Sequence, residues 1–140
     1  SMALSLNKNG KILTIDKDKQ KNMIAKRFFR KAKILNKIIL EVSNGNDALI
    51  KLIKNKKKYD LILIDADKEN YISYFDKSLK LLSKNGLLVV DNILWKGEVI
   101  NVNSKDKLTQ KIKKFNLHVK KSKINKYILP IGDGFCICWK

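Results

Sequence analysis

The stretch YDLILIDADKENY, at residues 59–71, decides the fold class. It begins with a nearly continuous apolar run, interrupted only by Asp60, which ends at Asp65. A half-buried strand alternates apolar and polar residues, whereas a continuous run is typical of a strand covered on both faces, as in a parallel sheet. The stretch therefore predicts a buried parallel strand over residues 59–65 that ends in an acid.

Strands and helices alternate on both sides of this stretch. Further strands are predicted over residues 11–16, 37–42 and 86–91, and helices over residues 17–35, 46–54, 68–84 and 104–121. Residues 127–131 and 135–139 read as an antiparallel hairpin, because Gly132 and Gly134 lie between them. The alternation predicts an α/β fold with a mainly parallel sheet. We expect residues 1–140 to form a single domain, since they contain no repeat and no flexible linker.

Apolar residues at helical spacing predict which face of each helix is buried. In the helix at 17–35 the predicted inward residues are Ile24, Phe28, Ala32 and Leu35. In the helix at 68–84 they are Tyr71, Tyr74, Phe75, Leu79 and Leu82, and Gly86 is expected to stop the helix. In the helix at 104–121, which Ser104 is expected to cap, they are Leu108, Ile112, Phe115 and Val119.

The chain is strongly basic, with 31 Lys and Arg against 13 Asp and Glu and a formal net charge of +18. Only Arg27 and Arg30 are arginines, although proteins that read nucleic acids usually depend on arginine. Two interpretations stay open, a lysine-rich composition without functional meaning and a surface that binds polyanions. The charge alone does not separate them.

The number of cysteines and the absence of long apolar runs indicate the cellular location of the protein. No run approaches the roughly 20 apolar residues of a membrane helix, and the first residues do not resemble a signal peptide. Cys136 and Cys138 alternate in the last predicted strand and are expected to be buried thiols on one face. These features favour a cytoplasmic protein without a membrane partner.

Three predicted strands end in an acid, namely Asp16, Asp65 and Asp91. Ligands of open α/β sheets bind beyond the carboxyl ends of the strands, so these acids are expected to line one edge of the sheet. The alternative is structural, because any buried strand must end in polar residues and Asp67 could cap the helix that follows it.

Asp65, Asp91 and Asn92 offer two carboxylates and an amide oxygen from two strand ends. Mg²⁺ prefers such oxygen ligands and commonly keeps positions open for water or substrate. Lys68 lies three residues beyond Asp65, in the first turn of the next predicted helix. In a chain this rich in lysine, a surface position without function is the alternative for Lys68.

Three motifs together resemble a known family. They are YDLILIDADKENY at 59–71, GLLVVDNILWKG at 86–97 and LPIGDG at 129–134. The sequence from about residue 3 to residue 140 is similar to the cation-dependent class I O-methyltransferases that use S-adenosylmethionine, related to caffeoyl-CoA and catechol O-methyltransferases. The resemblance implies a Rossmann-like sheet, mainly parallel, with a C-terminal antiparallel hairpin.

Site residues follow from the resemblance position by position. It implies that Asp65, Asp91 and Asn92 hold a divalent cation, Mg²⁺ or another such as Ca²⁺ or Mn²⁺. It implies that Lys68 is the base or the electrostatic helper for the acceptor hydroxyl.

Cofactor contacts are also implied. Asp16 would bind the ribose hydroxyls of S-adenosylmethionine, and Asp47 and Ala48 would approach the adenine. Asp67 would lie beside the metal and the cofactor. Trp95 could border the acceptor pocket or only pack the loop.

The implied activity is methyl transfer to a hydroxyl of a catechol-like small molecule. Two alternatives remain, methylation of a wobble hydroxyuridine in tRNA, which the charge of +18 would suit, and a truncated remnant without activity. A homodimer is expected from the resemblance.

The family's first strand and its Gly-rich cofactor loop have no counterpart in this sequence, in which residues 1–6 resemble the helix that follows the loop. That strand is central in the family, between the strands that correspond to residues 11–16 and 59–65. We therefore expect a sheet divided at this place and weak binding of S-adenosylmethionine, or none, by residues 1–140.

Overall fold

The structure is a computed structural model that describes residues 2–140. The chain forms two compact units, one ending at Ala48 and the other beginning at Leu49. No helix within the described residues is long and apolar enough to cross a membrane.

The first unit contains a two-stranded parallel sheet. Strand β1 (Ile12–Asp16) pairs with β2 (Ile38–Val42), and Asp16 lies opposite Val42. The preceding helix α1 (Met2–Ser5) confirms the helix expected near the start, although Ser1 itself lies outside the described residues. Strands β1 and β2 confirm the strands predicted at residues 11–16 and 37–42.

Helix α2 (Lys19–Lys31) connects the two strands and corrects the predicted inward face. Ile24 and Phe28 are 58% and 60% exposed, whereas Asn22 is buried and Phe29 half-buried. The Asn22 amide donates hydrogen bonds of 3.1 and 3.0 Å to the backbone oxygens of Asp16 and Asp18. These bonds fix the Asn22 side of the helix inward, which turns the apolar stripe at Ile24 and Phe28 to the surface.

The second unit contains a four-stranded sheet in the order β3-β4-β6-β5. The strands are β3 (Tyr59–Ile64), β4 (Leu82–Val90), β5 (Asn125–Leu129) and β6 (Phe135–Trp139). Strands β3 and β4 are parallel, and β6 runs antiparallel to both of its neighbours. The α/β class, the parallel pairing and the C-terminal hairpin are confirmed.

Two helices accompany these strands, and a third spans the point in the chain where the first unit ends. Helix α3 (Gly45–Lys54) precedes β3, α4 (Tyr71–Leu81) follows it, and α5 (Lys107–Lys121) precedes the hairpin. The described strands fall into two sheets and not one, which confirms the expectation of a divided sheet.

The predicted end of the helix at 68–84 and the predicted cap of the helix at 104–121 were wrong. Helix α4 ends at Leu81 and β4 begins at Leu82, so that Gly86 lies inside a strand. A Cβ at Gly86 would meet Leu82 Cδ1 at 2.8 Å, so a larger residue there would require the Leu82 side chain to shift. Helix α5 begins at Lys107 and is capped by Asp106, because the Asp106 carboxylate, and not Ser104, accepts the hydrogen bond from the Thr109 backbone nitrogen.

The core of the second unit lies between its sheet and the helices α4 and α5. The predicted inward residues Tyr71, Phe75 and Phe115 are fully buried, with Tyr71 and Phe75 each edge-on to Phe115. Cys136 and Cys138 are buried on one face of β6 with their sulfurs 3.5 Å apart, as predicted. This packing fixes the N-terminal end of α4 against the ends of β3 and β4.

Candidate functional site

The carboxyl ends of β3 and β4 bring the predicted metal ligands of the second unit to one edge of its sheet. Ile64 lies opposite Val90 in the parallel register, and the Asp91 backbone nitrogen donates to the Ile64 oxygen at 3.0 Å. Asp65 and Asp91 therefore follow directly on paired residues of neighbouring strands. The sequence prediction that these acids share one edge is confirmed for Asp65 and Asp91.

Lys68 joins the two strand ends. Its side-chain nitrogen donates a hydrogen bond of 2.8 Å to the Asn92 amide oxygen and lies 3.9 Å from Asp65 Oδ1. The Lys68 side chain is only 10% exposed. Lys68 is therefore not a surface lysine, which was the alternative interpretation. Burial lowers the pKa of Lys68, while the nearby carboxylates, Asp65 and Asp91 above all, oppose that shift.

Two aromatic rings complete the surroundings of the Lys68 ammonium group. Its nitrogen lies 4.5 Å from the Tyr71 ring centroid and 5.9 Å from that of Trp95, which are cation–π distances. It also donates a hydrogen bond to the Tyr71 hydroxyl. A single cation is thus held by an amide, a phenol and two rings beside two carboxylates.

The backbone turns sharply after β4. Asn92 has a φ of 58°, and Trp95 and Lys96 also have positive φ values, which non-glycine residues seldom adopt. The Asn92 backbone nitrogen donates to Asp91 Oδ1 at 2.6 Å. Strained backbone of this kind persists where the surrounding contacts impose it, and such residues concentrate at functional sites.

The LPIGDG motif holds this strained turn in place. Backbone nitrogens of Ile93 and Leu94 donate to the Gly134 and Asp133 oxygens at 3.1 and 3.0 Å, and the Asp133 carboxylate accepts a bond from the Lys96 backbone. The sequence predicted only a tight hairpin here. The charged Asp133 between two glycines was the signal that could have revealed the contact.

Asp67 lies one turn before α4, where its carboxylate accepts hydrogen bonds from the side chains of Asn70 and Tyr74. The Tyr74 bond is 2.8 Å long, and burial together with this bond raises the pKa of Tyr74 to about 12. Asp67 therefore reinforces the start of α4.

Three predicted cofactor residues lie in the first unit. Asp16 ends β1, and its carboxylate accepts a 2.9 Å bond from the Asp18 backbone nitrogen. A cavity of about 130 Å³ lies beside it, lined by Asn22 and Phe29 among others. Asp47 is exposed in the first turn of α3, and Ala48 is fully buried.

Within residues 2–140 no cluster of three or more His, Cys, Asp or Glu side chains is arranged to hold a metal ion. The predicted ligand set consists of two aspartates and an asparagine, so it has only two of the three acidic, histidine or cysteine ligands that define such a cluster. Its donor atoms are all oxygens, and Asn92 Oδ1 already accepts a bond from a cation, the Lys68 ammonium. The residues present fit a hard divalent cation in their donor chemistry.

The sequence matches the model of a protein family described as O-methyltransferase, and the match covers residues 1–140. The chain belongs to this O-methyltransferase family. The resemblance deduced from the three motifs is thereby confirmed.

Relatives of known name agree with this assignment. The chain is 32% identical to caffeoyl-CoA O-methyltransferase 5 of Nicotiana tabacum, over 97% of the chain and 61% of the relative. It is 32% identical to the flavonoid 3',5'-methyltransferase of Vitis vinifera, over 97% of the chain and 62% of the relative. The chain thus spans about three fifths of the length of the curated relatives that it matches.

A solved O-methyltransferase structure agrees as well. An O-methyltransferase from Bacillus cereus, determined in complex with SAH, superimposes with a TM-score of 0.86 at 27% identity. The match covers 99% of this chain and 67% of that one. The fold of this family member is therefore that of a class I O-methyltransferase.

Proposed function

We propose that this protein transfers the methyl group of S-adenosylmethionine to a hydroxyl of a catechol-like small molecule with the help of a divalent cation. The observation that carries the proposal is the contact between Lys68 and Asn92 at the edge where Asp65 and Asp91 end paired strands. Family membership supports methyl transfer to oxygen.

Asp65, Asp91 and Asn92 would hold the cation, for which Mg²⁺ is the first choice. A divalent cation bound there would lower the pKa of an acceptor hydroxyl. Adjacent hydroxyls can chelate one ion, which is why we favour a catechol-like acceptor. The caffeoyl-CoA and flavonoid names of the two plant relatives support an aromatic acceptor of this kind.

Lys68 would act on the same hydroxyl, either as the base that takes its proton or as a charge that stabilises the oxyanion. Its nitrogen is 2.8 Å from the Asn92 oxygen, so it lies at the proposed ligand set and not on the outer surface. A positive charge that is already fixed in position stabilises developing negative charge without having to reorganise.

For the cofactor we propose roles within each unit. In the first unit Asp16 would bind the ribose hydroxyls, and Asp47 and Ala48 would contact the adenine. In the second unit Asp67 would lie near the cofactor. The complex of the Bacillus cereus relative with SAH supports a cofactor of this class.

The proposal is tested by incubating the purified protein with methyl-labelled S-adenosylmethionine, Mg²⁺ and catechol or caffeic acid. Label in the methyl ether of the acceptor supports it. No transfer to any vicinal diol, by a protein shown to be folded, would contradict it and favour the inactive remnant.

Methylation of tRNA is the second candidate, because the net charge of +18 suits a polyanionic substrate. Helix α5 illustrates this charge, with five exposed lysines and no acid within Lys107–Lys121. Labelled tRNA in place of the small acceptor, together with binding that weakens steeply with salt, would favour it.

We also propose a cytoplasmic homodimer. Two unpaired cysteines suit a reducing compartment, and the dimer follows from the family resemblance alone. Size-exclusion chromatography with light scattering tests the oligomeric state.

A further inference from the structure

Tyr71 begins α4, and its side chain is fully buried beside the Lys68 ammonium group. The ring lies edge-on to Phe115 with centroids 5.3 Å apart. Burying a phenol hydroxyl costs free energy unless the hydroxyl forms hydrogen bonds, whereas a phenylalanine at this position would carry no such cost.

The Tyr71 hydroxyl has partners on two sides. It donates its proton to the Asp91 backbone oxygen at 3.1 Å and accepts a hydrogen bond from the Lys68 side-chain nitrogen. A phenol has only one proton to donate, so a bond given to Asp91 directs the oxygen lone pairs to the cation. The two bonds therefore support each other.

This arrangement links the start of α4 to the end of β4, which is distant in sequence. Tyr71 lies on α4, Asp91 follows β4, and Lys68 precedes α4 in a short 3-10 helix. The same ammonium group contacts Asn92 at 2.8 Å. Fixing the Lys68 nitrogen from the Tyr71 side leaves it little freedom to move away from Asn92.

We propose that Tyr71 is a positioning residue of the methyl-transfer site, whose hydroxyl holds the Lys68 ammonium against the Asn92 amide oxygen and anchors both to the Asp91 backbone. The proposal rests on the proposed function for its catalytic meaning. Its structural part, the restraint of Lys68 by one hydroxyl, stands independently of any activity.

Tyr71→Phe removes the hydroxyl, and with it the bonds to Lys68 and to the Asp91 backbone oxygen, while it keeps the ring against Phe115. Tyr74→Phe is the matched control, since Tyr74 lies one turn later, is also buried, and bonds Asp67 and not Lys68. Circular dichroism and a thermal melt establish that each variant is folded.

The first measurement is competitive labelling of lysine amines at one pH, read by peptide mass spectrometry relative to exposed Lys80. Tyr71→Phe should raise the labelling rate of Lys68 about tenfold, the population change expected on losing one hydrogen bond to a charged group. Tyr74→Phe should leave it unchanged. Equal Lys68 rates in the wild type and folded Tyr71→Phe would overturn the proposal.

If Tyr71→Phe does not fold, the wild type decides. In ¹⁵N-lysine-labelled protein the Lys68 ammonium should give a slowly exchanging signal, assigned by its loss in Lys68→Arg, with an NOE to the Tyr71 ring. A spectrum without that signal or NOE would contradict the restraint.

The catalytic part is tested by kinetics. Folded Tyr71→Phe should lower kcat about tenfold and leave the KM for S-adenosylmethionine unchanged, whereas Tyr127→Phe, on exposed β5, should change neither. An unchanged kcat would overturn the positioning role. If the wild type itself transfers no methyl group, the proposed function fails, while the labelling result still decides whether Tyr71 restrains Lys68.

Discussion

The Lys68 side-chain nitrogen lies 2.8 Å from the Asn92 amide oxygen, across a sequence separation of 24 residues. Lys68 follows β3 and Asn92 follows β4, so this bond closes the space between two neighbouring strand ends. It places a cation beside the atoms proposed to bind a second cation. The mobility and charge of Lys68 should therefore affect chemistry more than binding of the methyl donor.

Replacing Lys68 by alanine tests this expectation. Lys68→Ala should lower kcat by about 10²–10⁴-fold, the usual contribution of a group that transfers a proton or stabilises its charge. The Kd for S-adenosylmethionine, measured by calorimetry, should change far less. Lys80→Ala, an exposed change on α4, is the control. Equal turnover in Lys68→Ala and the control would remove Lys68 from the reaction.

Much of the site could be predicted from the sequence because it depends on strand ends. An apolar run followed by an acid defines where a strand stops, and parallel pairing then brings Asp65 and Asp91 to one edge. The alternation of strands and helices predicted the α/β class in the same way. Neither inference needs knowledge of side-chain packing. The prediction that the strand at 59–65 is covered on both faces was wrong, since Leu61 and Leu63 are 49% and 47% exposed.

The remaining contacts depend on tertiary structure and could not be predicted in this way. The left-handed backbone of Asn92 and the bond from Tyr71 to Asp91 exist only when β4, α4 and the C-terminal hairpin are packed together. The charge of Asp133 between two glycines marked it in the sequence, but its partner, the Lys96 backbone nitrogen, is 37 residues away and is brought to it only by the fold.

The glycines of the hairpin offer a paired test of that clamp. Both Gly132 and Gly134 have positive φ, at 59° and 80°, so alanine at either costs about 1–2 kcal/mol. At Gly134 an added Cβ would also meet Leu94 Cδ1 at 2.8 Å, whereas at Gly132 it would meet no atom within 4 Å.

Gly134→Ala should therefore lower the free energy of unfolding by about 1–3 kcal/mol more than Gly132→Ala, because of overpacking. Urea unfolding followed by the fluorescence of Trp95 and Trp139, which both belong to the second unit, provides the measurement. Equal losses in the two variants would show that the hairpin does not press on the Leu94 turn.

Two neighbouring phenylalanines of α2 test the corrected helix face. Phe28 is 60% exposed, whereas Phe29 is half-buried beside the cavity next to Asp16. Phe29→Ala should lower the stability of the first unit by about 1–2 kcal/mol, while Phe28→Ala should change it by less than about 0.5 kcal/mol. Urea unfolding followed by circular dichroism separates the two, and a larger loss in Phe28→Ala would restore the face predicted from periodicity.

The dependence of methyl transfer on a divalent cation and on Asp65 tests the central claim most directly. Turnover of a catechol acceptor should be lost in EDTA and restored by Mg²⁺ in the wild type and in Asp60→Asn, a control at an exposed residue near the start of β3. In folded Asp65→Asn, Mg²⁺ should restore little or none of it. Turnover that persists in EDTA, or full restoration by Mg²⁺ in Asp65→Asn, would contradict a cation held by Asp65, Asp91 and Asn92.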